Sequence, residues 1–184
     1  MLIAFNKPYG VICQFSQDNK HPTLKDYINI PRIYPAGRLD TDSEGLLLLT
    51  DDGSLQNRIT QPNHHLQKTY WAQVEGIPSN NDLIPFRQAM DLGDFIARPA
   101  QAKIIDEPTI LWQRTPPIRF RKTIPDSWLE IKISEGKNRQ VRRMCAKVGF
   151  PCLRLIRVGI GKLSLFDLSL SVGEFCQINT NDVF

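Results

Sequence analysis

Apolar and polar residues alternate along this chain in short bursts, each closed by a turn signal, which predicts many strands and few helices. Residues 2–5 (Leu-Ile-Ala-Phe) suit a buried strand that stops at Asn6-Lys7-Pro8-Tyr9-Gly10, because proline cannot continue a sheet ladder. Residues 23–28 have room for one or two helical turns. Residues 45–50 contain Leu46-Leu47-Leu48-Leu49 and read as a strand buried on both faces. After the turn Asp51-Asp52-Gly53, Ser54 is suited to cap a short helix carrying Leu55 and Ile59. Residues 68–75 alternate, with Tyr70, Ala72 and Val74 on one side and Trp71 and Gln73 on the other.

Residues 79–90 carry a helical pattern that Pro85 interrupts, and two strands are expected within 93–112. The proline-rich basic stretch 113–126 reads as an ordered loop, since Ile118, Phe120 and Ile124 need somewhere to pack. Residues 127–134 alternate again, with Leu129, Ile131 and Ile133 inward. The clearest helix follows: Asn138 as cap, Val141, Met144, Cys145 and Val148 on one face, and Gly149 at its end. Arg139, Arg142, Arg143 and Lys147 take the opposite face. Strands are expected at 152–158 and 162–168. Many strands with few scattered helices predict an α+β protein on a mainly antiparallel sheet.

The 184 residues fit one domain or two small lobes, enough to bury roughly 70% of the unfolded chain's surface. No apolar stretch approaches the ~20 residues of a membrane helix, and MLIAFNKPYG lacks the plan of a secretory signal. A cytoplasmic protein is expected. Cys13, Cys145, Cys152 and Cys176 form no C-x-x-C, and His21, His64 and His65 are not spaced to complete a zinc site, so free thiols are expected.

Charge changes the picture more. The 23 Lys and Arg against 19 Asp and Glu look balanced, yet Lys137, Arg139, Arg142, Arg143, Lys147, Arg154, Arg157 and Lys162 fall in one window without an acid. The rest of the chain is net negative. A concentrated basic surface on such a body suits a polyanion, although a solvated helix face would look the same.

Asp40 lies in Gly37-Arg38-Leu39-Asp40-Thr41-Asp42-Ser43-Glu44-Gly45, just ahead of the buried 45–50 strand. A carboxylate on a loop fixed by a rigid strand is well placed to act as nucleophile or base. The same aspartate could instead cap its own turn, or pair with Asp42 on a divalent metal.

The segment AGRLDTDSEGLLLLTDDG resembles the signature of RNA pseudouridine synthases of the RsuA class. Lys68-Thr69-Tyr70 and the run from Glu135 to Met144 (EGKNRQVRRM) match further motifs in order, and the likeness extends from Phe5 to Arg157. The stretch from Pro116-Pro117-Ile118-Arg119 to Trp128-Leu129 is similar to the RluE branch, which acts on 23S ribosomal RNA. The resemblance implies that family's catalytic fold: a mainly antiparallel mixed sheet in two small lobes, about 1–65 and 66–184, flanked by short helices with a cleft between. It implies no S4 RNA-binding domain, no cofactor and no metal, and a monomer whose partner is 23S RNA.

By the same resemblance Asp40 attacks the target uridine, either at C1′ or by removing a ribose proton. Tyr70 lies against the flipped base, and Arg142 pairs with the aspartate, with Arg139 and Arg143 as alternatives. Leu155, or Leu153, lines the uracil pocket. From the residues themselves, Arg38 beside Asp40 is a candidate to fill or pry open the space the base vacates, and basic groups of 137–162, among them Lys137, Arg139 and Arg143, and of the proline-rich loop are expected at the phosphates. Two other readings use the same residues: an RNA-binding protein without chemistry, and a metal-dependent nuclease using Asp40 and Asp42.

Overall fold

The computed structural model describes residues 1–118 and 124–184. Along it run β1 (Leu2–Lys7), β2 (Tyr34–Pro35), β3 (Glu44–Thr50), α1 (Gly53–Thr60), β4 (Lys68–Glu75), β5 (Met90–Asp91), β6 (Ile96–Ala97) and β7 (Gln101–Ile105). Then follow β8 (Asp126–Ile133), α2 (Gln140–Lys147), β9 (Cys152–Ile160), β10 (Leu163–Ser164) and β11 (Phe175–Gln177). This is the α+β fold expected, with β1–β3, β4–β8 and β7–β8 antiparallel and β3–β9 parallel. Among the described residues no helix is long and apolar enough to cross a membrane. The expectations for Arg119, Phe120, Arg121 and Lys122 lie outside the described residues.

The chain divides into two compact units, and the first is discontinuous: Met1–Leu66 clusters with Ile156–Phe184. In it β1 pairs antiparallel with both β11 and β3, and β3 pairs parallel with β9 through Glu44–Ile156 and Gly45–Arg157. Every residue of β1 and β3 is buried. Leu46 to Leu49 are fully inaccessible, each contributing roughly 1.5–3 kcal/mol of burial, which is why four consecutive leucines make a strand covered on both faces. β1 runs two residues past its expected stop. Asn6 can join because its side-chain amide donates to the Leu170 carbonyl (3.1 Å) and its backbone N–H to Glu174 (2.9 Å).

The second unit is Gln67–Leu155. Its centre is β8, flanked antiparallel by β4 in register Lys68–Ile133 through Glu75–Asp126, and by β7. The period-two pattern predicted appears as alternating buried and half-buried residues along β4 and, from Leu129 onward, along β8, where Trp128 is buried as well. α2 buries Val141, Met144 and Cys145, as its spacing predicts, and Gly149 at φ 91° ends it.

Local differences from the sequence expectations have local causes. Asp52, not Ser54, caps α1, accepting from the N–H groups of Ser54 (2.8 Å) and Leu55 (3.1 Å). Asn138 does not cap α2. Arg139, in left-handed conformation at φ 48°, occupies that position, and the Gln140 side chain accepts from Lys137 N–H (3.1 Å) while donating to buried Glu135 (2.8 Å). Residues 79–90 form only the 3₁₀ turn Ile84–Arg87, where Pro85 fits near the start because no N–H is needed there. The strand expected over 162–168 is two residues of β10 followed by a 3₁₀ turn, Leu165–Leu168, because the Ser164 hydroxyl accepts from Phe166 N–H. All four cysteines are free, with Cys13 and Cys145 buried and the other two half-buried.

Candidate active site

The loop that carries Asp40 is tied down along its length within the first unit. Ala36 N–H donates to Leu48 (2.8 Å), Leu39 N–H to the Cys13 sulfur (3.4 Å), and Ser43 N–H to the Asp40 carbonyl (3.0 Å). The Thr41 carbonyl accepts from Gly10 (2.8 Å). Leu39 is buried, Asp40 and Asp42 half-buried, and Arg38 exposed. The loop thus buries its apolar residue and leaves Asp40 half-buried on a backbone held in place.

At the loop's foot, Gly45 has φ 97°, and a Cβ there would sit 2.4 Å from the Arg157 carbonyl oxygen and 2.9 Å from an Ile156 methyl. Glycine is required because β3 and β9 approach at that point. Arg157 is itself 5% exposed and donates from Nε to the Leu46 carbonyl (2.8 Å), locking β9 onto β3. Its buried Nη2 meets no hydrogen-bond partner among the described residues. Arg154 is 7% exposed, so two of the eight cations in the basic window are interior groups rather than surface charge.

Lys7, at the end of β1, is inaccessible to solvent and donates from Nζ to the Pro8 carbonyl (2.9 Å). Burial pulls its ammonium down to about 8, against the opposing attraction of Cys13, Glu44, Asp42 and Asp40. A buried cation therefore lies close enough to Asp40 to act on it electrostatically. Among the described residues no group of three or more His, Cys, Asp or Glu side chains is arranged to hold a metal ion.

The remaining predicted residues belong to the second unit. Tyr70 is buried on β4 opposite Ile131 of β8. Arg142, half-buried on α2, donates from Nη1 to the Cys152 carbonyl (3.2 Å). Arg143 is engaged elsewhere: its guanidinium bonds the Asp94 carboxylate and the Leu92 carbonyl and lies 4.8 Å from the Phe95 ring centre. That ion pair holds the Asp94 carboxyl below the usual range. Lys137 and Arg139 are exposed, Leu155 is buried and Leu153 half-buried. Arg38 and Asp40 thus share one unit, and Tyr70, Lys137, Arg139, Arg142, Arg143 and Leu155 the other.

Residues 1–147, which include Asp40, Tyr70 and Arg142, match the sequence profile of the family described as RNA pseudouridylate synthase. The chain belongs to that family. It is 55% identical over 163 residues to the ribosomal large subunit pseudouridine synthase E of Xanthomonas axonopodis pv. citri (strain 306), covering 88% of this chain and 86% of that one. It is 35% identical over 183 residues to the ribosomal small subunit pseudouridine synthase A of Yersinia pestis, covering 97% and 69%. This gradient places the synthase in the RluE branch of the RsuA class, among isomerases. A solved structure described as a pseudouridylate synthase superposes with a TM-score of 0.81 at 31% identity, over 99% of this chain and 71% of that one.

In the sequence Lys7 stands only in the turn Asn6-Lys7-Pro8-Tyr9-Gly10, where nothing marks it for chemistry. The available signal is a lysine that closes a run otherwise destined for burial. Burial of this ammonium predicts a pH dependence of stability and of rate. Between about pH 8 and its ordinary 10.5, the unfolded chain holds this proton more tightly than the fold, so the residue's unfavourable contribution to stability fades as pH rises. Over the same window Asp40 loses a neighbouring cation. We expect the rate to fall above about pH 8, and Lys7→Arg, which stays charged, to carry the plateau to higher pH. A wild-type pH–rate profile flat from about 7 to 10 would remove Lys7 from the site.

Proposed function

We propose that this chain isomerises a specific uridine of 23S ribosomal RNA to pseudouridine, without a cofactor. The observation that carries the reading is the 55% identity, over most of both chains, to a relative named for pseudouridine synthesis in the large ribosomal subunit. In the reaction the N1–C1′ bond breaks, the base rotates, C5 joins C1′, C5 gives up its proton and the freed N1 takes one up, so the product is an isomer. The target uridine must leave its stack to expose C1′, so the reading includes base flipping.

Asp40 attacks the nucleotide, and the anchored loop supports this by holding a carboxylate in one place. Tyr70 lies against the flipped uracil and assists removal of the C5 proton, Arg142 is the cation paired with Asp40, and Leu155 lines the uracil pocket. Arg38, exposed beside Asp40, fills the space the base leaves. Lys137 and Arg139, both exposed, hold flanking phosphates, with Arg143 contributing less because Asp94 and Leu92 occupy its guanidinium.

The test is to incubate the purified protein with 23S RNA made without modifications and to map pseudouridine by chemical tagging and reverse transcription. One modified position is expected, unchanged by a chelator once the RNA is refolded in monovalent salt. No modified uridine would defeat the proposal, and strand cleavage that the chelator abolishes would favour a nuclease.

A further inference from the structure

The second unit contains a recess of about 430 Å³ that the catalytic motifs do not use. Its wall combines Trp112, Trp128, Arg114 and Arg154 with Leu111 and Pro117, and one exposed acid, Glu107, also lines it. That volume falls in the range of ligand clefts, roughly 300–1,000 Å³.

The wall is built from the inside. Arg154, 7% exposed on β9, donates from Nη2 to the Trp112 carbonyl (3.0 Å), and its guanidinium lies 5.8 Å from the Trp112 ring centre. A buried cation thus fixes a half-buried indole. Arg114 is held to the same loop by its Nε–H bond to the Pro116 carbonyl (2.8 Å). Trp128, 6% exposed on β8, has a buried indole N–H with no hydrogen-bond partner among the described residues.

We infer that this recess takes a second, unstacked nucleotide of the RNA: its base against the Trp112 ring that Arg154 holds from behind, its phosphate toward Arg114. Aromatic faces beside arginines are the means by which proteins hold single-stranded bases irrespective of sequence. The indole N–H of Trp128 supplies a donor for a base carbonyl. Adjacent residues on a strand point to opposite faces, so Arg154 and Leu155 serve different sides of β9, and the recess is separate from the pocket assigned to the target uracil. A nucleotide gripped here, at a distance from the reacting uridine, helps a synthase choose among single-stranded uridines by the local fold of the RNA. The inference rests on the RNA-modifying function proposed above.

The two are tested separately by titrating the full chain with a single-stranded oligoribonucleotide of about ten nucleotides, within the usual site size of roughly 4–16. Trp112→Ala is expected to weaken this binding about 10-fold, the loss of one stacked base. Trp112→Phe restores most of it, since the ring face returns. On 23S RNA the alanine variant raises KM with little change in kcat. Arg114→Ala, a loop substitution, repeats the test should Trp112→Ala fail to melt cooperatively. Wild-type binding in both alanine variants, or a KM that does not move, overturns the inference and leaves the functional proposal standing. A wild-type protein that forms no pseudouridine defeats that proposal, and the oligonucleotide titration still decides the recess.

Discussion

Asp40→Asn is expected to lower isomerisation by a factor on the order of 10³ or more while leaving RNA binding and thermal stability near wild type. The amide matches the carboxylate in size, and the loop is tied by several bonds made from its backbone. They run from Gly10 to Thr41, from Ser43 to the Asp40 carbonyl and from Ala36 to Leu48, with Leu39 N–H on the Cys13 sulfur. The substitution therefore deletes the charge and the nucleophilic oxygen with little else. Lys7 reinforces the contrast, because its buried ammonium stands among Asp40, Asp42 and Glu44 and would lose one of three carboxylates. The measurement is single-turnover pseudouridine formation on excess protein, with a filter-binding Kd and a melting curve in parallel. An Asn variant within tenfold of wild type would sink the assigned role of Asp40. A variant that no longer binds RNA or melts early would show that the residue shapes the loop instead.

Gly45→Ala is the largest stability effect we expect. The residue sits at φ 97°, where an L side chain is strained, and its added methyl would meet the Arg157 carbonyl oxygen at 2.4 Å. Neither partner can yield cheaply, since one is the backbone of β9 and the other the entry of β3. Together strain and overlap should cost about 3 kcal/mol or more, as steric and backbone effects of this kind do. For a chain of this size that lowers Tm by roughly 6–12 °C, at 2–4 °C per kcal/mol. Calorimetry reads it directly. Activity should fall further than the folded fraction, because the clash lies at the foot of the Asp40 loop. A variant melting within about 2 °C of wild type would mean that β3 and β9 are not held as close as described.

Much of this architecture is readable from periodicity. β4 and β8 declare themselves because one face is covered and the other is not, and β3 because four leucines have nowhere polar to face. Helix α2 is legible for the same reason at a period of 3.6, but its start is not. Asn138 has the better cap chemistry, and the decision went to Gln140, whose side chain reaches back to Lys137 and across to Glu135. Sequence patterns also misjudge cations. Arg154 and Arg157 counted toward a basic surface, yet both are interior: one supports Trp112, the other binds the carbonyl of Leu46. Such roles depend on contacts between residues 42 and 111 positions apart, which no local pattern records. The recess beside Trp112 was invisible for the same reason, since β8, β9 and a loop must meet to form it.

The discontinuity of the first unit bears on the order of synthesis. A ribosome that has released residues 1–155 has delivered the Asp40 loop and the whole of the second unit, but not the parallel partner of β3 or the outer neighbour of β1. Domains emerge and fold from the N-terminus onward, so β1 and β3 must wait with unpaired edges while some ninety intervening residues fold as a unit. Only when Ile156 and Arg157 dock against Glu44 and Gly45 does the loop acquire its foot. The Asp40 loop therefore gains its full support only after the second unit has been made, although the loop itself precedes that unit in the chain.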